Sequence, residues 1–113
     1  MSQYSYFMVF GVTQLLHTQE EIWTDFHKRW FVFTMPRWVF VLFESILSLG
    51  ILLYLMWPTI LPIRTILPLF AIVMLINGIG HIIWGLIKKS YVPGLVTAPI
   101  FVITFLAYFS SLT

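Results

Sequence analysis

The sequence contains no cysteine, which excludes disulfides and thiolate metal ligands and leaves no redox signature. Charge is scarce as well, because Asp, Glu, Lys and Arg make up only 9% of the 113 residues. The formal net charge of +2 is too small to indicate a nucleic-acid partner. Hydrophobic residues account for 60% of the chain, far above the fraction usual in soluble domains, and the mean hydropathy is +0.97. A chain of this length and composition predicts one domain in a membrane.

Four apolar runs predict an all-α fold, an integral membrane four-helix bundle. The predicted spans cover residues 4–23, 37–57, 65–87 and 95–112 of a single transmembrane domain, 1–113. Pro36 and Pro58 bound the second run, and Pro68 falls in the first turn of the third, where its missing N–H costs little. The first run lacks a basic n-region and a small-residue cleavage site, so we expect a retained span and not a signal peptide.

The basic residues set the predicted orientation of these spans. Five of the six lie in two of the three connections: Lys28, Arg29, Arg37, Lys88 and Lys89. Only Arg64 lies in the remaining connection. The positive-inside rule therefore predicts that loops 24–36 and 88–94 are cytoplasmic and that both termini lie outside. We also expect so small a chain to associate in lipid as a homodimer.

Ionisable residues interrupt three of the runs at a common depth. Glu21, Glu44 and His81 each lie seven residues from the nearest Lys or Arg at the cytoplasmic end of their run. Seven residues correspond to about 10 Å along a helix. A charge that faces lipid costs about 2.5–3.5 kcal/mol, so we expect these groups to face a shared interior.

Two polar helix faces would contribute to that interior. His17, Glu20 and Glu21 share one face of the first span, and Asn77 and His81 share one face of the third. Carboxylates in one place repel one another, and no Lys or Arg lies at that depth to balance them. Imidazole with carboxylate suits a divalent metal ion, Zn or Fe, and we predict these five residues as its ligands, with Asn77 either a weak ligand or a group that orients His81.

Two other interpretations of the polar residues stay open. The first span could lie at the membrane interface with its polar face in water. The acids and imidazoles could also share protons without any metal. If the site is catalytic, Glu21 or Glu44 would serve as general base. Tyr91 would reach over the site as a hydrogen-bond donor or lid, or else anchor the chain at the interface.

Three short strings follow one another along the chain: HTQEE at residues 17–21, NGIGH at 77–81 and YVPG at 91–94. In this order, in a chain of this length and hydropathy, they resemble the HXXEE-domain family of small membrane proteins. The resemblance covers nearly the whole chain but implies no particular reaction. Eight residues carry it: His17, Glu20, Glu21, Asn77, His81, Tyr91, Pro93 and Gly94. Glu44 lies outside these strings.

These patterns favour a metal-dependent membrane enzyme, a hydrolase or isomerase that acts on a lipid-soluble small molecule. The substrate would come from the membrane lipid, since no soluble domain is present to bind a polar one. Two alternatives belong to other classes. Buried acids and imidazoles also occur in proton- or cation-coupled binding and transport proteins. The small size would also fit a structural subunit of a membrane complex.

Overall fold

The computed structural model describes all 113 residues and contains helices and turns but no β-strand. The predicted all-α class is therefore confirmed. Five helices follow one another: α1 (Gln3–Trp23), α2 (Phe26–Arg29), α3 (Arg37–Met56), α4 (Ile63–Lys88) and α5 (Ala98–Ser111). The short helix α2 has no counterpart among the predicted spans. It follows a reversal at Asp25, whose φ of 61° lies in the left-handed region.

Prolines and polar caps set several helix starts. The Ser2 side chain accepts a hydrogen bond from the Ser5 N–H at the start of α1, as an N-cap residue does. Pro36 and Pro62 directly precede α3 and α4. Since α4 begins at Ile63, two residues before the predicted span, Pro68 lies in its second turn and removes one backbone hydrogen bond there.

The last helix starts later than the predicted span of residues 95–112. Residues 94–97 form a turn in which the Ala98 N–H donates to the Gly94 carbonyl, and α5 begins only at Ala98. The resulting helix has 14 residues, about 21 Å at the helix rise, against the roughly 30 Å of a bilayer core. By length and composition, α3 and α4 qualify as candidate membrane spans.

Helix α1 is the centre of the packing. It contacts every other helix, and α4 and α5 also pack closely on each other. By contrast, no Cα atom of α3 lies within 8 Å of a Cα atom of α4 or α5. The main apolar core therefore forms around α1, with Phe10, Leu67, Ala71 and Phe101 fully buried. The separation of α3 from α4 leaves a cleft between the two candidate membrane spans.

Two glycines of α4 provide a matched test of the α4–α5 contact. A Cβ atom at Gly78 would lie 2.8 Å from the Ala98 carbonyl oxygen and 3.0 Å from the Phe101 Cβ, whereas one at Gly80 would meet nothing within 4 Å. We expect Gly78→Ala to lower the free energy of unfolding in detergent by about 1–3 kcal/mol through overpacking. Gly80→Ala should be neutral or stabilising, because alanine favours a helix by about 1 kcal/mol over glycine.

Denaturant unfolding of both variants, followed by circular dichroism, measures this difference. Equal stability of the two variants would contradict the close approach of α4 and α5 at Gly78.

Candidate metal centre

Two imidazoles and a carboxylate meet in the interior of the bundle. The Nε2 atoms of His17 and His81 lie 3.1 Å apart. One carboxylate oxygen of Glu21 lies 3.5 Å from the His17 Nε2, and the other lies 3.5 Å from the His81 Nε2. All three side chains are buried, and they form the one group of His, Asp and Glu side chains whose ligand atoms all lie within 4.8 Å of one another. These three side chains, His17, Glu21 and His81, are called the trio below, and they could hold a metal ion.

Helix periodicity and packing bring the three groups together. His17 and Glu21 are four residues apart on α1, so they lie about one turn apart on the same face of the helix. His81 comes from α4, which packs on that face of α1. The Phe101 ring of α5 lies edge-on to the His17 ring, with centroids 5.2 Å apart. The site is therefore enclosed by α1, α4 and α5.

The hydrogen bonds of the two imidazoles fix where their protons lie. The His81 Nδ1 is 2.7 Å from the Pro93 carbonyl oxygen, which can only accept, so this nitrogen carries hydrogen. The His17 Nδ1 is 2.6 Å from the Thr97 hydroxyl, which itself lies 2.8 Å from a Glu20 carboxylate oxygen. Since the hydroxyl donates to that carboxylate, it accepts from the His17 Nδ1. Both Nε2 atoms are then left with lone pairs that face each other.

Facing lone pairs 3.1 Å apart repel unless a cation or a proton lies between them. In a tetrahedral zinc site, with Zn–N distances of about 2.0–2.1 Å, two ligand atoms lie about 3.3 Å apart. The 3.1 and 3.5 Å separations of the trio bracket that value. In metal sites, a ligating histidine typically donates its other ring N–H to a carbonyl or polar oxygen, as both histidines do here.

Glu20, which the sequence predicts as a ligand, lies outside the trio. Its carboxylate accepts hydrogen bonds from the Tyr91 hydroxyl, from the Val96 and Thr97 N–H groups at 3.0 Å each, and from the Thr97 hydroxyl. Those two N–H groups belong to the turn that leads into α5, where unpaired backbone donors attract negative charge. Glu20 therefore ties α1 to the start of α5 and orients the hydroxyl that binds His17.

Asn77 also lies outside the trio and does not contact His81 by hydrogen bonding. Its amide donates to the Gln14 side-chain oxygen at 3.3 Å, and the Gln14 amide donates to the Thr18 hydroxyl at 3.3 Å. The Thr18 hydroxyl in turn donates to one Glu44 carboxylate oxygen at 2.7 Å. This chain of donors ends on Glu44, which is buried on α3.

The Pro93–Gly94 turn forms a roof over the two imidazoles. Gly94 has a φ of +88°, a conformation that favours glycine. A Cβ atom here would lie 2.5 Å from the Cε1 of His17 and 2.7 Å from the Cε1 of His81. A side chain at this position would therefore collide with both rings. The YVPG string ends in glycine because only glycine leaves room for the two imidazoles.

Tyr91 lies at the edge of this roof, with its hydroxyl on Glu20 and not on the trio. The Arg29 guanidinium holds it from the other side, since Nη2 donates to the Tyr91 carbonyl at 3.1 Å and the cation lies 5.9 Å from the ring centroid. Partial burial raises the pKa of the Tyr91 phenol, and the hydrogen bond to Glu20 raises this pKa further. The hydroxyl is therefore a stable donor that joins loop 88–94 to α1, whereas Arg29 joins loop 24–36 to loop 88–94.

The cleft between α3 and α4 reaches the trio from the side. It has a volume of about 690 Å³, within the range of small-molecule sites, and fourteen of its twenty lining residues are hydrophobic. The loop between α2 and α3 closes part of it with Phe31, Val32 and Phe33. Five of the lining residues carry polar side chains of the network described above: Gln14, Glu21, Glu44, Asn77 and His81.

Three residues of this network have no role in the predictions from sequence: Gln14, Thr18 and Thr97. The first two share the α1 face of His17 at helical spacing, so a helical projection could have found them. Thr97 gives no such signal, because it reaches His17 from a turn 80 positions away.

Thr97 provides the test of the proton positions. In long-range proton–nitrogen NMR spectra of the zinc-loaded protein, we expect His17 and His81 to carry hydrogen on Nδ1 and none on Nε2. Thr97→Val removes the acceptor for the His17 Nδ1–H and should change the His17 signals alone, whereas Thr97→Ser keeps the hydroxyl and should preserve them. Hydrogen on the Nε2 of either histidine in the wild-type protein would contradict the arrangement.

A comparison with protein families identifies the family of the chain. A family model described as "Protein of unknown function with HXXEE motif" matches residues 8–109, a range that includes all three strings. No curated protein and no solved structure matches the chain. The resemblance of the HTQEE, NGIGH and YVPG strings is thereby confirmed, and the chain belongs to the HXXEE family.

Proposed function

We propose that this protein is an integral membrane, metal-dependent hydrolase that takes a lipid-soluble substrate through the cleft between α3 and α4. The observation that carries the proposal is the position of Glu21 and His81. Both belong to the trio of candidate ligands, and both line a large apolar cleft. A metal ion held by the trio would therefore face whatever occupies the cleft.

The apolar surface of the helices supports a place in the membrane. Large apolar side chains are widely exposed on α3, α4 and α5, among them Ile46 at 64%, Ile76 at 65% and Ile103 at 66%. Exposed apolar surface on this scale is typical of a face that contacts lipid. In the proposed arrangement α1, α3, α4 and α5 form the four-helix membrane bundle, loops 24–36 and 88–94 are cytoplasmic, and both termini lie outside.

The trio would hold the ion through the Nε2 atoms of His17 and His81 and the Glu21 carboxylate. Two imidazoles and a carboxylate suit Zn or Fe, and three protein ligands leave a position open for water or substrate. A divalent ion in such a site activates a bound water and polarises a substrate carbonyl. Glu20 and Asn77 would act through the residues that they bind and not as ligands.

Glu44 is the carboxylate that remains for proton transfer. Thr18 donates to its Oε2, and this hydrogen bond holds the side chain on the wall of the cleft. Glu44 lies outside the trio, so a metal there would leave it available as general base. The apolar lining around it would exclude bulk water and accept the hydrocarbon part of a lipid-like ester.

Zinc content and ester hydrolysis test this function in one set of variants. We expect wild-type protein, purified without a histidine tag, to bind zinc stoichiometrically and to hydrolyse para-nitrophenyl palmitate in detergent micelles. His17→Ala and His81→Ala should lose both properties, because each removes a ligand. Glu44→Gln should keep the zinc and lose hydrolysis, because it removes only the base.

His27→Ala is the matched control, because His27 is the third histidine and lies outside the trio. It should retain both zinc and hydrolysis. Wild-type protein without zinc would contradict the metal site, and zinc binding without hydrolysis of short or long esters would contradict the hydrolase. Proton flux into liposomes that Glu21→Gln abolishes, in the absence of bound metal, would support transport instead.

A further inference from the structure

A second cavity lies between α1 and α3, apart from the cleft. It is an open groove with a volume of about 480 Å³. Polar side chains from both helices contribute to its wall: Thr18, Gln19, Glu44, Ser45 and Ser48. This groove differs from the cleft between α3 and α4, whose wall is formed mainly by aromatic and aliphatic side chains.

Glu44 is the one residue that lines both cavities. Its side chain and that of Thr18 are buried between them, joined by the hydrogen bond from the Thr18 hydroxyl to the Glu44 Oε2. The other carboxylate oxygen makes no hydrogen bond within the protein. A carboxylate with one free oxygen therefore lies between the apolar cleft and a groove to which several polar side chains contribute.

The groove lies deep along a candidate membrane span. Ser45 and Ser48 are 8 and 11 residues beyond the first residue of α3, about 12 and 17 Å along the helix axis. The structure gives no hydrogen-bond partner within the chain to the side chains of Ser45, Ser48 and Gln19, all of which line the groove. Unsatisfied polar groups are costly in hydrocarbon, whereas a roomy polar site with several partners can hold ordered water.

We infer that the groove between α1 and α3 is a water site that supplies the cleft, with Glu44 as the group that exchanges protons between the two. The inference rests on the proposed hydrolase function, since hydrolysis consumes one water for each bond that it breaks. One O–H bond of water and one bond of the substrate break, the hydroxyl group joins one product, and the hydrogen joins the other.

The direction of the hydrogen bonds fits this role. The donors run from Asn77 through Gln14 and Thr18 to Glu44, so Glu44 is the acceptor at the end of the chain. Thr18 fixes one oxygen, and the other oxygen is left to accept a proton from water. Glu44 then gives that proton to the leaving oxygen of the substrate, which returns the carboxylate to its starting state. The proton that a carboxylic acid product loses can pass through Glu44 to water in the groove.

Single cysteines test the groove directly, because the natural chain has none. In protein reconstituted into liposomes, we expect Ser48→Cys to react with an anionic, membrane-impermeant methanethiosulfonate at least about tenfold faster than Ile46→Cys, since only a thiol in contact with water ionises to the reactive thiolate. Ile46 is the matched control, because it lies on the same helix two residues away, is highly exposed, and lines neither cavity.

A second groove variant, Ser45→Cys, guards against a local effect of the first and should react as fast as Ser48→Cys. Reaction of both groove variants at the slow rate of Ile46→Cys would overturn the inference. Zinc content, measured on the same samples, tests the hydrolase proposal separately, because none of the three substitutions touches the trio. Normal zinc with slow labelling therefore rejects the water site alone, whereas fast labelling without zinc rejects the hydrolase alone.

Discussion

The arrangement of the site depends on two hydrogen bonds that the imidazoles donate to the connection between α4 and α5. His81 donates to the Pro93 carbonyl and His17 to the Thr97 hydroxyl, so both rings are turned with their Nε2 lone pairs toward each other. Between two neutral imidazoles this contact at 3.1 Å is repulsive, and a bound cation or a shared proton would relieve it. Gly94 keeps the roof close enough for both hydrogen bonds, because a Cβ atom there would collide with both rings.

The two adjacent acids of α1, Glu20 and Glu21, contact different parts of the site. Glu21 points into the interior with the imidazoles, whereas Glu20 points to the turn before α5 and accepts its backbone N–H groups. Through Thr97, the Glu20 carboxylate also controls the hydrogen bond that orients His17. The HTQEE string therefore combines a candidate ligand pair with the contact that positions one of its ligands.

The sequence predicted the centre of the site better than its surroundings. Spacing of four residues on α1 and equal depth on three helices were enough to expect His17, Glu21 and His81 to meet, and the structure brings them together. Helical spacing cannot separate Glu20 from Glu21, since both positions share a face with His17. That distinction arises from the turn before α5, which forms through contacts between residues about 76 positions apart.

The fold, like the site, could be predicted from the sequence only in part. Hydropathy identified the helical class and the apolar helices α3 and α4, whose length and composition make them candidate spans. It could not predict that α3 contacts α1 and not α4, because that separation depends on which side chains fill the core around α1. The resulting cleft, which Glu21 and His81 line, is therefore a property of the packing and not of any single segment.

The central claim is that the Nε2 atoms of His17 and His81 and the Glu21 carboxylate bind one metal ion. X-ray absorption at the zinc edge of the loaded protein tests it most directly. We expect two imidazole nitrogens at about 2.0–2.1 Å, completed by oxygen ligands at similar distances. A spectrum without imidazole scattering, or with one imidazole only, would contradict it.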